Sequence, residues 1–417
     1  MMRERRVVVT GLGVIAPNGI GIDDFWDSLV HGRSAVRKVS HFDASSYPSK
    51  MAAEVSDFNP TNYMDPKSAR RMDRFAQFAV ACSGMALHHA NLQVSEKNSD
   101  RIGIALGSAL GGIPSAEEQH SIFIERGLQR VDPLLAIKIF PGGATSQVSI
   151  EFGICGHSNT IGGACSSGTD NVGYAFYAIK NCLADIMIAG GAEAPIVPLT
   201  FGSFSLIGAL STRNGDFTRA SRPFDKERDG FVMGEGAGVL VLEDLENALE
   251  RGVPIYAELL GYGTTNDAYH MVQPAPDGEQ AKKSVQSALR NAKIDPKEID
   301  YINPHGTSTL LNDKVETKII KEVFGEHAYE IPISANKSMI GHALGAAGAI
   351  ELVASVLTIK NQFIPPTINY EFPDPECDLD YVPNKGRKAS VNTVLKNSFG
   401  FGGKNSAIII RKFCNSK

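Results

Sequence analysis

Gly162-Gly163-Ala164-Cys165-Ser166-Ser167-Gly168 is followed by a mostly apolar stretch, Val172 to Leu183, and then by Ile186-Met187-Ile188-Ala189. The order reads as a glycine-rich turn, a helix and a buried strand. The first N–H groups of a helix have no partner within it, and the helix dipole is positive at that end. A thiol placed there is shifted toward thiolate, the form that attacks carbonyls. The flanking glycines permit a sharp, close-approach turn. Cys165 is therefore a candidate nucleophile, although cysteine is also among the residue types most often buried as inert packing.

Working outward, strand-like and helix-like segments alternate. Arg6 to Thr10 reads as a strand ending in a glycine turn, and Phe25 to Gly32 and Met72 to Asn91 read as helices. Ile102 to Leu106, Gly238 to Leu242 and Tyr256 to Tyr262 are further apolar strands. Continuous apolar strands separated by helices predict a mostly parallel sheet covered on both faces. A second series follows: helix Ala281 to Ala292, strand Ile299 to Asn303, helix Lys314 to Phe324, strand Ile331 to Ser334 and a long apolar helix Ala343 to Lys360. Thr393 to Ser398 and Ala407 to Arg411 read as a closing antiparallel pair. Two related α/β halves are expected, 1–250 carrying the cysteine and 251–417 carrying two notable histidines.

Those histidines are His305, in Asn303-Pro304-His305-Gly306-Thr307-Ser308-Thr309, and His342, in Lys337-Ser338-Met339-Ile340-Gly341-His342-Ala343. Both stand at glycine turns beside apolar elements, positions that project side chains into clefts. Taken singly, either histidine is more readily structural than catalytic.

Composition narrows the classes. The 417 residues are 43% hydrophobic and 21% charged, ordinary for a globular protein. A net charge of −5 argues against general nucleic-acid binding. The other cysteines, Cys82, Cys155, Cys182, Cys377 and Cys414, form no CxxC pair and flank no metal-spaced histidines, so neither a disulfide framework nor a zinc site is expected. Met1-Met2-Arg3-Glu4-Arg5-Arg6 leads straight into a strand without a signal-peptide core, and no apolar run reads as a membrane span, which predicts a cytoplasmic protein. Two nucleotide motifs are decoys. Gly11-Leu12-Gly13-Val14-Ile15-Ala16 matches a dinucleotide fingerprint but runs into Pro17-Asn18-Gly19, a turn rather than a helix. Gly402-Gly403-Lys404-Asn405 lacks phosphate-loop spacing.

The chain resembles the β-ketoacyl-acyl-carrier-protein synthases, most closely the type II elongating condensing enzymes. The resemblance rests on Val9 to Gly13, the Cys165 turn, Ser221-Arg222-Pro223-Phe224-Asp225, Asp229 to Gly236, the His305 and Lys337–His342 segments, and Asn397 to Gly403, in that order along the chain. It implies the thiolase fold: two pseudo-equivalent α/β halves with mixed five-stranded sheets in layered αβαβα order. It implies decarboxylative Claisen condensation of an acyl group on Cys165 with malonyl-acyl-carrier-protein, with a triad of Cys165, His305 and His342. It places the backbone N–H groups of Cys165 and Phe401 in the oxyanion hole and makes Phe401 a gatekeeper. Lys337, backed by Glu351, orients the second histidine, with Asp313 and Glu316 supporting. Thr307 and Thr309 bind the pantetheine arm, and Leu110, Phe204 and Leu344 line the acyl pocket. No bound cofactor or metal is implied; substrates ride on the phosphopantetheine of acyl carrier protein, which docks on Lys67, Arg70 and Arg71. Residues differing from the family pattern are Ala109, Gly208, Val272, Pro304 and Leu310.

A homodimer elongating fatty acids is the leading reading. The alternative is the catalytic ketosynthase subunit of a type II polyketide synthase, working as a heterodimer with a cysteine-less chain-length partner. A non-catalytic partner subunit is disfavoured by Cys165. A coenzyme-A thiolase is disfavoured because Cys414 lies outside any glycine-rich motif.

Overall fold

In the computed structural model, which describes residues 5–414, Val7–Ala16 forms one strand, β1, buried along its whole length. The strand does not end at Thr10; it runs on through Gly11 and Gly13. A Cβ at Gly11 would lie 2.4 Å from the Ala86 carbonyl oxygen, and one at Gly13 would lie 2.1 Å from that of Cys82. These glycines let helix α1 (Arg74–His89) pack directly on the strand. Close helix–sheet approach, not phosphate binding, explains the fingerprint-like run. Met1–Glu4 lie outside the described residues.

The N-terminal half continues with β2 (Ile102–Gly107), α2 (Ile113–Arg126), β3 (Ser158–Asn159), α3 (Ser167–Lys180), β4 (Ile186–Glu193), α4 (Pro198–Leu206) and β5 (Gly236–Asp244). A short helix, Leu245–Arg251, leads to β6 (Ala257–Asn266). Then come α5 (Glu279–Ala292), β7 (Tyr301–Asn303), α6 (Leu310–Phe324), α7 (Ala347–Asn361) and the strands β8 (Thr393–Gly400) and β9 (Lys404–Arg411).

The strands are hydrogen-bonded in the order β7-β8-β9-β6-β1-β5-β4-β2-β3, with Gly19–Ile20 folded onto β1. β1 meets β6 over Val7–Val9; beyond that it pairs with β5, and its last two residues also with Gly19–Ile20. Two sheets thus share one corner. The pairing is mixed, not mostly parallel: β2 runs parallel to β3 and β4, and β7 to β8, while every other pair along this order is antiparallel. Both-face burial makes antiparallel strands as apolar as parallel ones, which removes the alternation that usually tells them apart. The expected Ile331–Ser334 strand survives as a single bridge, Ile302 to Ile333.

Side-chain alternation shows the layering. On β5, Leu240 and Leu242 join a central core with α3 and α7, while Val239 and Val241 pack in another core beneath α1. On β9, Ile408 and Ile410 face the central core and Ile409 packs in an outer one with residues of α5 and α6. The order is α1, sheet, α3 with α7, sheet, α5 with α6: a thiolase fold. In α7 every residue from Ala347 to Ile359 is buried, as befits a helix apolar all round. Leu344–Asn361 is long and apolar enough to cross a membrane, but here it is the core helix between the sheets.

Candidate active site

Cys165 lies in a single 3-10 turn, Ala164–Ser166, immediately before α3. Ala164 takes φ +50°, a left-handed conformation that non-glycine residues seldom adopt and that sites of strain concentrate. The turn is held at both ends: Gly163 N donates to Ser167 Oγ at 2.9 Å, and Ser166 Oγ donates to Asp170 Oδ2 at 2.7 Å. Asp170, buried, also accepts from Tyr262 at 2.9 Å and from Ser406, both on strands of the C-terminal half.

The thiol itself is pushed up to about 11, against the expectation from its helix-start position. Burial dominates. The Phe401 amide, the charge of Lys337 and the amide of Cys165 itself pull the other way and do not overcome it. Those two amides converging on one sulfur are the pair expected to hold an oxyanion. Gly400 makes this approach feasible: a Cβ there would lie 3.0 Å from the Cys165 nitrogen.

His305 follows β7, and His342 follows the short helix Lys337–Ile340. Both are buried, with ring centroids 5.3 Å apart. Both are held well below the usual imidazole range, first by burial, then by Lys337; Lys396 adds to this for each ring. Among the described residues neither Nδ1 has a hydrogen-bond partner. The two rings are neutral, and a neutral imidazole still carries one N–H to donate.

Cys165, His305, His342, Phe401, Thr307 and Thr309 line one cavity of about 300 Å³. Thr307 and Thr309 hydroxyls lie 2.9 Å apart on its wall. Val272 and Leu310, which depart from the family pattern, line it too. Leu110, Phe204 and Leu344 do not line the open cavity; they pack with Cys165 and Phe401 in an adjoining apolar cluster, where the Phe204 and Phe401 rings stack at 6.1 Å.

Supporting residues act on the backbone around the histidines. Glu316 accepts from His305 N at 2.7 Å and Gly306 N at 2.8 Å, and Asp313 accepts from Thr307 N at 3.1 Å. Lys337 donates to the His305 carbonyl at 2.6 Å and pairs with Glu351, so it positions the first histidine through its backbone. Lys67 and Arg70 lie on the short helix Pro66–Arg70 and Arg71 just beyond it; all three are exposed and stand outside the cavity lining.

Two neighbouring ionisable groups carry no local sequence signal. Glu193, at the end of β4, accepts from Ser108 Oγ (2.8 Å) and from the amides of Ala109 (2.6 Å), Leu110 (3.1 Å) and Gly345 (2.9 Å). Burial still pushes it up to about 7. Lys396, on β8, is fully buried, with Nζ 2.9 Å from Glu351 Oε2 in an ion pair without hydrogen-bond alignment. Among the described residues no group of three or more His, Cys, Asp or Glu could hold a metal ion.

The N-terminal domain model of the β-ketoacyl synthases matches residues 4–248, and the C-terminal domain model matches residues 256–371. The protein named 3-oxoacyl-[acyl-carrier-protein] synthase 2 from Synechocystis sp. is 46% identical over 412 residues, 99% of each chain. That of Staphylococcus aureus is 44% identical over 413 residues, 99% of this chain and all of the other. A solved type II polyketide ketosynthase, in complex with its acyl-carrier protein and bound to a hexaketide, superposes with TM-score 0.91 at 40% identity, covering 99% of this chain and all of that one. A β-ketoacyl synthase from Burkholderia phymatum gives TM-score 0.91 at 35% identity over 98% of this chain and all of that one.

Proposed function

The chain belongs to the β-ketoacyl synthase family, and we propose that it is a cytoplasmic homodimer elongating fatty acyl chains by two carbons, its site built jointly by residues 1–250 and 251–417. The observation that carries this reading is a buried thiol sharing one cavity with two buried, neutral imidazoles and the Phe401 turn. Cys165 Sγ, once deprotonated, attacks the carbonyl carbon of an acyl thioester; the pantetheine thiol leaves and the acyl group stays on sulfur. Malonyl-acyl-carrier-protein then loses carbon dioxide. Its electron pair passes into an enolate whose oxygen receives N–H bonds from His305 and His342. The enolate carbon attacks the acyl carbon, a C–C bond forms, and the Cys165 thiolate departs. The amides of Cys165 and Phe401 hold the oxyanion in both transfers.

Thr307 and Thr309 bind the pantetheine arm. Lys67, Arg70 and Arg71 receive the carrier protein, their positive charge steering an acidic partner. Acyl entry displaces Phe401 from Phe204 and opens the cluster of Leu110 and Leu344. Exposed apolar residues on α2 and α4, Phe123, Ile124, Leu199 and Leu206 among them, support a dimer in which a second copy covers them.

The likeness to polyketide ketosynthases supports a second reading, a catalytic subunit requiring a chain-length partner. One experiment separates the two. The chain is expressed alone and given a saturated acyl carrier plus malonyl carrier. A homodimer yielding the 3-oxoacyl product, with an acyl adduct on Cys165 that Cys165→Ala lacks, supports elongation. A chain inactive until a cysteine-less homologue is added overturns it.

A further inference from the structure

We propose that Lys396 is a positioning residue of the condensation: its ammonium group shares Glu351 with Lys337, the lysine that bonds the His305 carbonyl, and opposes further positive charge on the two histidines. The inference rests on the functional reading above. Lys396 occupies the same face of β8 as Val394, which packs in the central core containing α7, the helix that carries Glu351. It is 0% exposed. Its Nζ lies 2.9 Å from Glu351 Oε2, while Lys337 bonds Oε1 of the same carboxylate. Two ammonium groups therefore enclose one carboxylate.

One lysine suffices to neutralise Glu351. The second adds a further positive charge in a buried site next to two imidazoles. A proton added to either ring meets repulsion from both lysines, which burial leaves unscreened. Among the described residues, Glu316 on α6, whose carboxylate is engaged by the His305 and Gly306 amides, also faces Lys396, and each imidazole, once protonated, would repel the other. Burial lowers Lys396 itself to about 8, opposed by Glu351, so at neutral pH it is still charged.

Its geometry adds a second effect. Lys396 Nζ donates to the Asn397 carbonyl and lies 3.3 Å from Ser398 Oγ, directly before Phe399-Gly400-Phe401. The group that opposes positive charge on the histidines also ties down the strand end that presents the Phe401 amide to Cys165.

The test is the pH dependence of single-turnover decarboxylation of malonyl carrier by wild type and Lys396→Met, with thermal melting and acyl loading followed alongside. Removing the charge should let the imidazoles protonate more readily, moving the acid limb of decarboxylation to higher pH by about one unit. Lys396→Arg, which stays charged, should keep the wild-type acid limb. A folded Lys396→Met with an unmoved acid limb, whatever its rate, overturns the proposal; if that variant does not fold, Lys396→Gln decides by the same comparison. A wild-type protein that releases no carbon dioxide from malonyl carrier overturns the functional reading instead, and this inference with it.

Discussion

The imidazole rings of His305 and His342 stand nearly perpendicular, at 83°, with centroids 5.3 Å apart. The arrangement lets two donors approach one oxygen from different directions without stacking on each other. Replacing either histidine by alanine should slow malonyl decarboxylation by on the order of 10²–10³-fold, the usual cost of one oxyanion donor. Acyl transfer to Cys165 should fall far less. Labelled carbon dioxide release, measured beside acyl-adduct formation, checks this; decarboxylation unchanged in both variants would show the rings to be structural.

Gly400→Ala should leave the fold intact, because Gly400 has φ −101°, open to any residue. The new methyl carbon would stand 3.0 Å from the Cys165 nitrogen and 3.3 Å from Gly163 O. The Phe401 amide would be displaced by a few tenths of an ångström, and acyl loading should drop by about 10-fold, less than the roughly 10²-fold that a full ångström costs. Loading at the wild-type rate would mean that this turn does not set the oxyanion geometry.

Glu193→Gln replaces a carboxylate that accepts four hydrogen bonds by an amide that points an NH₂ at the same donors. It should destabilise the protein by about 1–3 kcal/mol. The folded-state pKa of Glu193 is raised to about 7, above its ordinary value of 4.5. The wild-type contribution is therefore fully present below pH 4.5 and is lost as pH rises through 7. The gap between wild type and variant should narrow over that range. Denaturant unfolding at several pH values measures it, and a gap that widens would contradict the assignment.

Reversing charge at Lys67, Arg70 and Arg71 together should raise the apparent KM for the carrier and weaken its salt dependence, with kcat nearly unchanged, since all three stand outside the cavity lining. A carrier KM identical to wild type would make this an ordinary solvated face.

Much of the site was readable because its chemistry sits at turns. Cys165, His305 and His342 are each set off by glycines, and the structure brings all three to one cavity. Buried charge was harder to see. Lys396 follows Val394 and Leu395 in a strand, where a lysine ordinarily marks a solvent-facing position; only the third dimension places Glu351 opposite. Glu193 closes the run Gly190-Gly191-Ala192, and nothing local shows that three amides and a hydroxyl converge on it. Helix α2 leaves no apolar stripe in the sequence, because none of its residues is buried. Ile331–Ser334 reads as a strand by composition, but Pro332 offers no N–H to a ladder and pairing stops at one bridge.

The bonds from Asp170 to Tyr262 and Ser406 carry a consequence for the order of events during synthesis. Translation runs from the N-terminus, so a nascent chain that has emerged only through β5 already holds Cys165. It does not yet hold the tyrosine and serine that anchor the thiol's turn, the amide of Phe401, or either histidine. The half-made protein is chemically unarmed, and competence arrives only when the last two strands leave the ribosome.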